Sequence, residues 1–193
     1  ESADRVVVTA GAWTTALLKT AGVDLPLWGE KHEILITEPW ERVLGPMVIS
    51  FSRGFYIQQR PHGSFIMGLP PVDPEHWYEP EAFDFSSSMD FLMRMAKEAT
   101  HVLPFLQGVN IVRQWAGLYE MTPDHHHAIG PVDEVEGLWV AAGGSGHGFM
   151  FGPAMAEQLS KWMTGSSMDI DLTPLAPGRF KKGALVVEPA VVG

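Results

Sequence analysis

The chain has 193 residues, a length that fits one domain or one and a half, and 46% of them are hydrophobic, enough for a sizeable core. Thirteen Lys plus Arg against 23 Asp plus Glu leave a formal charge of −10, a field that repels nucleic acid and anionic lipid heads. Cysteine is absent, which excludes disulfides, thiolate metal sites and cysteine nucleophiles. No apolar run reaches the roughly 18 residues that span a bilayer, and no leader pattern opens the sequence. The expectation is a soluble, cytoplasmic protein without a membrane span and without a nucleic-acid partner.

In chain order, Arg5 to Ala10 is a short apolar run closing in Gly11, the pattern of a buried strand that needs neighbours on both sides. Only Glu1 to Asp4 precede it, so its partners must come from later or missing residues, and the chain reads as a fragment. Trp13 to Ala21 has helical composition, with Thr14 as N-cap and Gly22 as the glycine after the C-cap. Strands are expected at Glu33–Thr37, Met47–Phe51, Phe55–Gln59 and Ser64–Met67, with Pro61-His62-Gly63 turning the last pair.

A Pro- and acid-rich loop over Pro70–Pro80 leads to a helix from Met89 to Leu103, with N-caps offered by Ser86–Ser88. Phe91, Leu92, Met95, Ala99, Val102 and Leu103 share its apolar face. A strand at Asn110–Trp115 is followed by an irregular stretch from Ala116 to Asp133. The strand Leu138–Ala142 then runs into Gly143-Gly144-Ser145-Gly146-His147-Gly148 and a helix from Pro153 to Met163, with Gly165 beyond its end. Residues 166–193 are weakly patterned and read as a tail.

The glycine loop is the strongest local signal. Its amides and the positive end of the following helix suit a phosphate, a carboxylate or a flavin carbonyl, and its missing Cβ atoms allow a planar group to approach the backbone. A flexible surface loop is the plainer alternative. The spacing fits neither a Walker A loop nor a dinucleotide fingerprint. His125, His126 and His127 are consecutive, so they point in different directions, and a surface turn is preferred to a metal site; no metal is expected.

Three stretches carry a resemblance. Val7-Val8-Thr9-Ala10-Gly11-Ala12-Trp13, then Trp115 to Asp124 with Ile129-Gly130, then Ala141 to Met150 resemble, in order, motifs of the D-amino acid oxidase superfamily of FAD-dependent oxidoreductases. The texture is most similar to the sarcosine oxidase, dimethylglycine dehydrogenase and proline dehydrogenase β-subunit branch. The resemblance implies an α+β fold: a mostly antiparallel substrate-domain sheet flanked by helices, plus the C-terminal strand-loop-helix portion of an FAD-binding domain. It divides the chain into 1–22 and 116–165 as FAD-binding segments, 23–115 as the amine-binding domain, and 166–193 as the tail. The Gly-rich βαβ unit that opens intact members does not occur in this sequence.

The same resemblance implies site residues. Ala10, Gly11 and Trp13 would line FAD, and Gly144, Ser145, Gly146, His147, Gly148, Phe149 and Met150 would face its pyrimidine edge, where negative charge collects on reduction. Tyr56, Tyr119 and His147 are the catalytic candidates. His32, Tyr56, Arg113 and Tyr119 are the substrate-binding ones, with Lys31 beside them.

Tyr119 stands where some relatives carry a carboxylate-clamping arginine, and Met150 where others carry a lysine, which argues against simple glycine or D-amino acid oxidase specificity. Gly117 stands where some members attach flavin through cysteine, so FAD is expected to be non-covalent and is not assured in a fragment. The implied reaction is oxidation of a secondary or tertiary amine or amino acid. The alternatives are a non-catalytic module with an incomplete FAD site, or a flavoprotein subunit, with a partner chain or as a homo-oligomer, that passes electrons onward.

Overall fold

A computed structural model describes residues 2–73 and 77–186. Residues 74–76 of the expected loop and 187–193 of the expected tail lie outside the described residues. The chain divides into two compact units: Glu1–Gly29 with Tyr119–Gly193, and Glu30–Leu118. Together they give an α+β architecture of antiparallel strands, one parallel pair and four α-helices.

The central unit is built on a five-stranded sheet. Strands β2 (Trp28–Pro39), β3 (Val48–Ser50), β4 (Phe55–Gln59), β5 (Ser64–Leu69) and β6 (Ile111–Met121) lie in the order β3-β4-β5-β2-β6. In this sheet β4 pairs antiparallel with β3 and β5, and β5 with β2. The registers Ile57↔Met67 and Leu35↔Met67 put Phe55, Ile57, Phe65, Met67, Leu69 and Leu35 on one face. Helix α2 (Met89–Val102) covers that face with Phe91, Met95 and Ala99, spaced i, i+4. Val102, expected on the same face, is 39% exposed because it sits at the fraying last turn. Ser88 caps α2, its hydroxyl accepting the Phe91 N–H at 3.1 Å.

The other unit holds a three-stranded sheet in the order β1-β8-β7, made of β1 (Val6–Val8), β7 (Ala128–Pro131) and β8 (Leu138–Ala142). β1 runs parallel to β8, and β7 antiparallel to it. Val8, Ala128, Leu138, Val140 and Ala142 pack with Leu18, Val23, Leu25 and Leu27 on one face. Ile129, Trp139 and Ala141 pack with Leu159, Trp162 and Leu172 on the other. Helix α1 (Thr14–Lys19) follows a 3-10 turn over Gly11–Trp13, and Gly22 at φ +75° closes it. Helix α3 (Gly148–Thr164) ends at Gly165 in the left-handed region, and the short α4 is Gly178–Lys182.

Four expectations need correction. Thr14 is not the N-cap; it is the first residue of α1, buried, with Trp13 in the cap position. β1 is not buried on both sides: among the described residues it pairs with β8 alone, and Val6 and Val7 stay exposed. The stretch from Ala116 is not irregular, because β6 continues to Met121 and β7 lies within it. α3 begins at Gly148, five residues before the expected start, and carries Pro153 inside the helix, where its ring leaves the Phe149 carbonyl without an i→i−4 donor. Among the described residues no helix is long and apolar enough to cross a membrane.

Candidate functional site

The parallel pairing of β1 with β8, Val8 opposite Val140, makes both strands leave the sheet at the same end. One continues into the turn Thr9–Trp13, the other into the loop Gly143–His147. The carboxyl ends of parallel strands are where open sheets commonly leave a crevice for ligands. The backbone here takes conformations that need glycine: Gly11 has φ +56°, Gly143 +69° and Gly146 +86°. Ser145 adopts φ +42° although it has a Cβ.

Two glycines face open space. A Cβ built on Gly11 or on Gly148 meets no atom within 4 Å, so packing inside the chain does not account for the missing side chain at Gly148. Phe149 is 100% exposed at the start of α3. A cradle of glycine backbone, a helix N-terminus behind it and an apolar ring beside it can take a flat, partly anionic group.

Behind the loop sits a buried carboxyl. Glu120, near the end of β6, accepts the Gly143 N–H on Oε2 at 2.7 Å, and its own carbonyl accepts the Ser145 N–H at 2.9 Å. Burial pushes the Glu120 carboxyl above its ordinary range, while the nearby Thr14 hydroxyl and the Gly143 N–H pull it partly back. The Thr14 hydroxyl stands close without an aligned bond: Thr14 Oγ1 and Glu120 Oε1 are both buried and unbonded among the described residues. Gly143 is seated so tightly that a Cβ there would fall 2.3 Å from Thr122 Cγ2.

The three histidines diverge. His125 is exposed at φ +58°. The His126 carbonyl accepts from Thr122 Oγ1 at 2.8 Å and from Arg179 Nη2 at 2.9 Å. The His127 ring meets Phe151 edge-on at 5.8 Å, and His147 lies 6.3 Å from the same ring. Burial, then the neighbouring His147, His126 and Arg179, pull His127 down to about 4, so it is neutral at pH 7. Among the described residues no group of three or more His, Cys, Asp or Glu side chains could hold a metal ion.

Arg179 pins the C-terminal segment through a bidentate pair with Asp124, Nε to Oδ2 and Nη2 to Oδ1, both 2.8 Å. Burial raises the Asp124 carboxyl, but the Arg179 bond, the Val186 N–H and the guanidinium charge outweigh it, leaving it at about 2.

The residues singled out in the sequence divide between the units. Ala10, Gly11, Trp13, Tyr119 and the run from Gly144 to Met150 belong to the unit with the parallel pair. Burial raises the Tyr119 phenol above its ordinary value. Tyr56 and His32 belong to the central unit, on the sheet face away from α2. Tyr56 is opposite Gly68, which is opposite Ile34, two residues along from His32. The Tyr56 ring lies over Gly68, where a Cβ would come within 2.6 Å of it. The His32 Nε2 is 2.7 Å from Glu30 Oε1. Lys31 donates to the Ser86 carbonyl at 2.9 Å. Arg113 is exposed on the edge strand β6, its guanidinium 5.4 Å from the Trp115 ring. The sequence reading passed over Glu120 and Thr14 as its neighbour, and took His127 only as part of a surface turn. The available signal was an acidic residue inside the otherwise uncharged run Leu118 to Thr122.

The family model described as FAD dependent oxidoreductase matches residues 1–162. The chain belongs to that family. It is 33% identical over 176 residues to the glycine oxidase of Pseudomonas putida, covering 91% of this chain and 46% of that protein. It is 26% identical over 195 residues to the mitochondrial dimethylglycine dehydrogenase of Homo sapiens, covering 93% and 22%. The crystal structure of L-proline dehydrogenase from P. horikoshii superposes with a TM-score of 0.85 at 34% identity, covering 94% of this chain and 48% of that one. The chain thus spans about half the length, or less, of these relatives. An FAD-dependent oxidoreductase needs a backbone cradle for a flat ring, and the open sides of Gly11 and Gly148 fit that group.

Proposed function

We infer that this chain contributes the catalytic-end wall of an FAD site and part of the amine site of an oxidoreductase acting on a secondary or tertiary amine of amino-acid type. The observation that carries the reading is the pairing of β1 with β8, which sets the Gly11 turn beside the Gly143–His147 loop, with the sides of Gly11 and of Gly148 at the head of α3 open. Bound FAD would accept a hydride from the C–H bond next to the amine nitrogen, and water would hydrolyse the iminium that remains.

The chain's own groups would orient and exclude. The amides of Gly144, Gly146 and Gly148 and the N-terminus of α3 would favour negative charge at the ring edge they face. Phe149 and Met150 would keep water from that edge. Tyr119, neutral at pH 7, would offer a hydroxyl to the substrate; Tyr56 and His32, on one face of the central sheet, are the candidates of that unit. His147 would stand beside the ring edge as a hydrogen-bonding group. With Tyr119 and Met150 in place of two cations, any carboxylate is left to Arg113, to a residue outside this chain, or to none.

The test has two steps. FAD titrated into the chain is expected to lose fluorescence, and the natural full-length protein, carrying FAD under anaerobic conditions, is expected to be bleached by sarcosine, dimethylglycine or proline. A full-length flavoprotein that no amine bleaches would sink this reading.

A further inference from the structure

Glu120 is costly where it stands. A carboxyl buried with one oxygen unbonded loses solvation that a leucine would never need, so net stability does not account for an acid here. Its contacts say what does. Side chain and main chain of this one residue take the Gly143 and Ser145 amides, bracketing the first bend of the glycine loop. That bend holds two left-handed positions, Gly143 and Ser145, and the second is not glycine. A non-glycine residue in that region persists only where its surroundings over-determine it. The Thr14 hydroxyl at the head of α1 lies close to the Glu120 carboxyl, and it and Oε1 are both buried and unbonded among the described residues. Thr14 directly follows the Gly11–Trp13 turn.

We propose that Glu120 is a positioning residue of the cofactor site, a brace that holds the Gly143–Ser145 bend by its two amides beside Thr14 and so fixes the direction of the loop amides relative to the Gly11 turn. The proposal rests on the flavin reading above for its ligand, but the brace itself is a property of the chain. Thr122, whose methyl touches the Gly143 position, closes the far side and leaves the bend one seat.

Amide hydrogen exchange on the full chain, read at Gly143 to His147, tests the brace, and FAD titration of the same samples tests its purpose. A hydrogen bond to a charged or buried acceptor is worth enough that Glu120→Ala should speed exchange at Gly143 and Ser145 by about ten-fold or more and weaken FAD by a similar factor. Glu120→Gln keeps a carbonyl oxygen for Gly143 and turns an amide towards Thr14, so it should stay within about three-fold of wild type in both readouts. Glu120→Asp, one methylene short, should exchange faster than Glu120→Gln even if the alanine variant does not fold.

Equal exchange in wild type and Glu120→Ala would overturn the proposal, as would Glu120→Gln being as impaired as Glu120→Asp. FAD binding by neither wild type nor variants would defeat the flavin reading and the cofactor part of this proposal, and would leave the exchange difference to decide the brace.

Discussion

The two units solve the problem of folding with different materials. In the central unit, α2 lays Phe91, Met95 and Ala99 on an antiparallel sheet, and the deepest side chains are Phe55, Phe65, Phe91, Leu35, Ile57 and Met95. Both units also bury polar side chains, Glu30, Thr37, Gln59 and Ser64 in the central one and Thr14, Glu120, Thr122, Asp124, Ser145, Gln158 and Arg179 in the other, where Asp124 and Arg179 form a buried ion pair. Left-handed backbone is divided unevenly: Gly54 and Gly63 in the central unit, against Gly11, His125, Gly143, Ser145 and Gly146 among others in its counterpart. Apolar packing is tolerant and needs only volume and pattern. Buried polar networks and left-handed turns are intolerant, and they collect where a backbone has to be aimed.

The contrast is sharpest for deletions deep inside each unit. Arg179→Ala leaves Asp124 buried without its guanidinium, and unfolding by urea should show a loss of about 3–5 kcal/mol. Phe91→Ala in the central unit should cost a similar 3–5 kcal/mol through the cavity it opens. The two are distinguished by rescue. Arg179→Met with Asp124→Leu removes both charges and should recover part of the loss, whereas no second deletion refills the Phe91 cavity. An Arg179→Ala loss under about 1 kcal/mol would mean that the ion pair is not the anchor its geometry suggests.

Gly143→Ala probes the aimed backbone directly. It places a Cβ in the left-handed region and 2.3 Å from Thr122 Cγ2. The conformational penalty and the clash together should lower stability by about 2–4 kcal/mol in thermal unfolding. The same change at Gly22, left-handed but with nothing within 4 Å of the new Cβ, should cost only the conformational part, about 1–2 kcal/mol. Equal losses at the two positions would remove the argument that the loop is tightly seated.

This difference also explains what could be read in the sequence. Strands β4 and β8 and helix α2 were legible nearly to their ends, because period and punctuation are local: alternating burial at Phe55–Gln59, i, i+4 spacing at Phe91, Met95 and Ala99, serines ahead of Met89. β7 was missed because Ala128-Ile129-Gly130-Pro131 has almost no β-forming composition and is held by pairing with β8, a tertiary effect. The start of α3 was missed because Gly148 and Gly152 read as loop, while the structure uses them inside a helix. The partners of Glu120 were invisible for a similar reason. Gly143 is 23 residues away, and nothing local announces a bond across that distance.

Ser88→Ala tests the legible side. Its hydroxyl caps the Phe91 N–H at 3.1 Å, and removing it should cost about 1 kcal/mol in thermal unfolding, with no dependence on pH near neutrality. A loss well beyond that would come from the Glu33 carboxylate, which accepts the same Ser88 hydroxyl on Oε2 at 3.3 Å and the Ser87 hydroxyl on Oε1 at 3.0 Å.

The smallest effect at pH 7 belongs to His127→Gln, and its interest lies in how it grows with acidity. His127 is neutral in the fold and held at about 4 against an ordinary 6.5. Between those values the unfolded chain binds a proton that the folded chain refuses, so the stability is intact above 6.5 and drains away as pH falls towards 4. Asp124 continues the loss from 3.8 down to about 2. Glu120 works in the opposite sense: its raised carboxyl keeps a proton in the fold, so its contribution is present below 4.5 and lost as pH rises through the raised value. Unfolding temperatures across the range should therefore show a flatter acid limb for His127→Gln and a flatter upper limb for Glu120→Gln. Phe91→Ala should lower the whole curve without changing its shape, because the central core it disrupts contains no group that titrates there. If His127→Gln leaves the acid limb unchanged, His127 is already solvated in the fold, and its place against Phe151 cannot be what keeps it neutral.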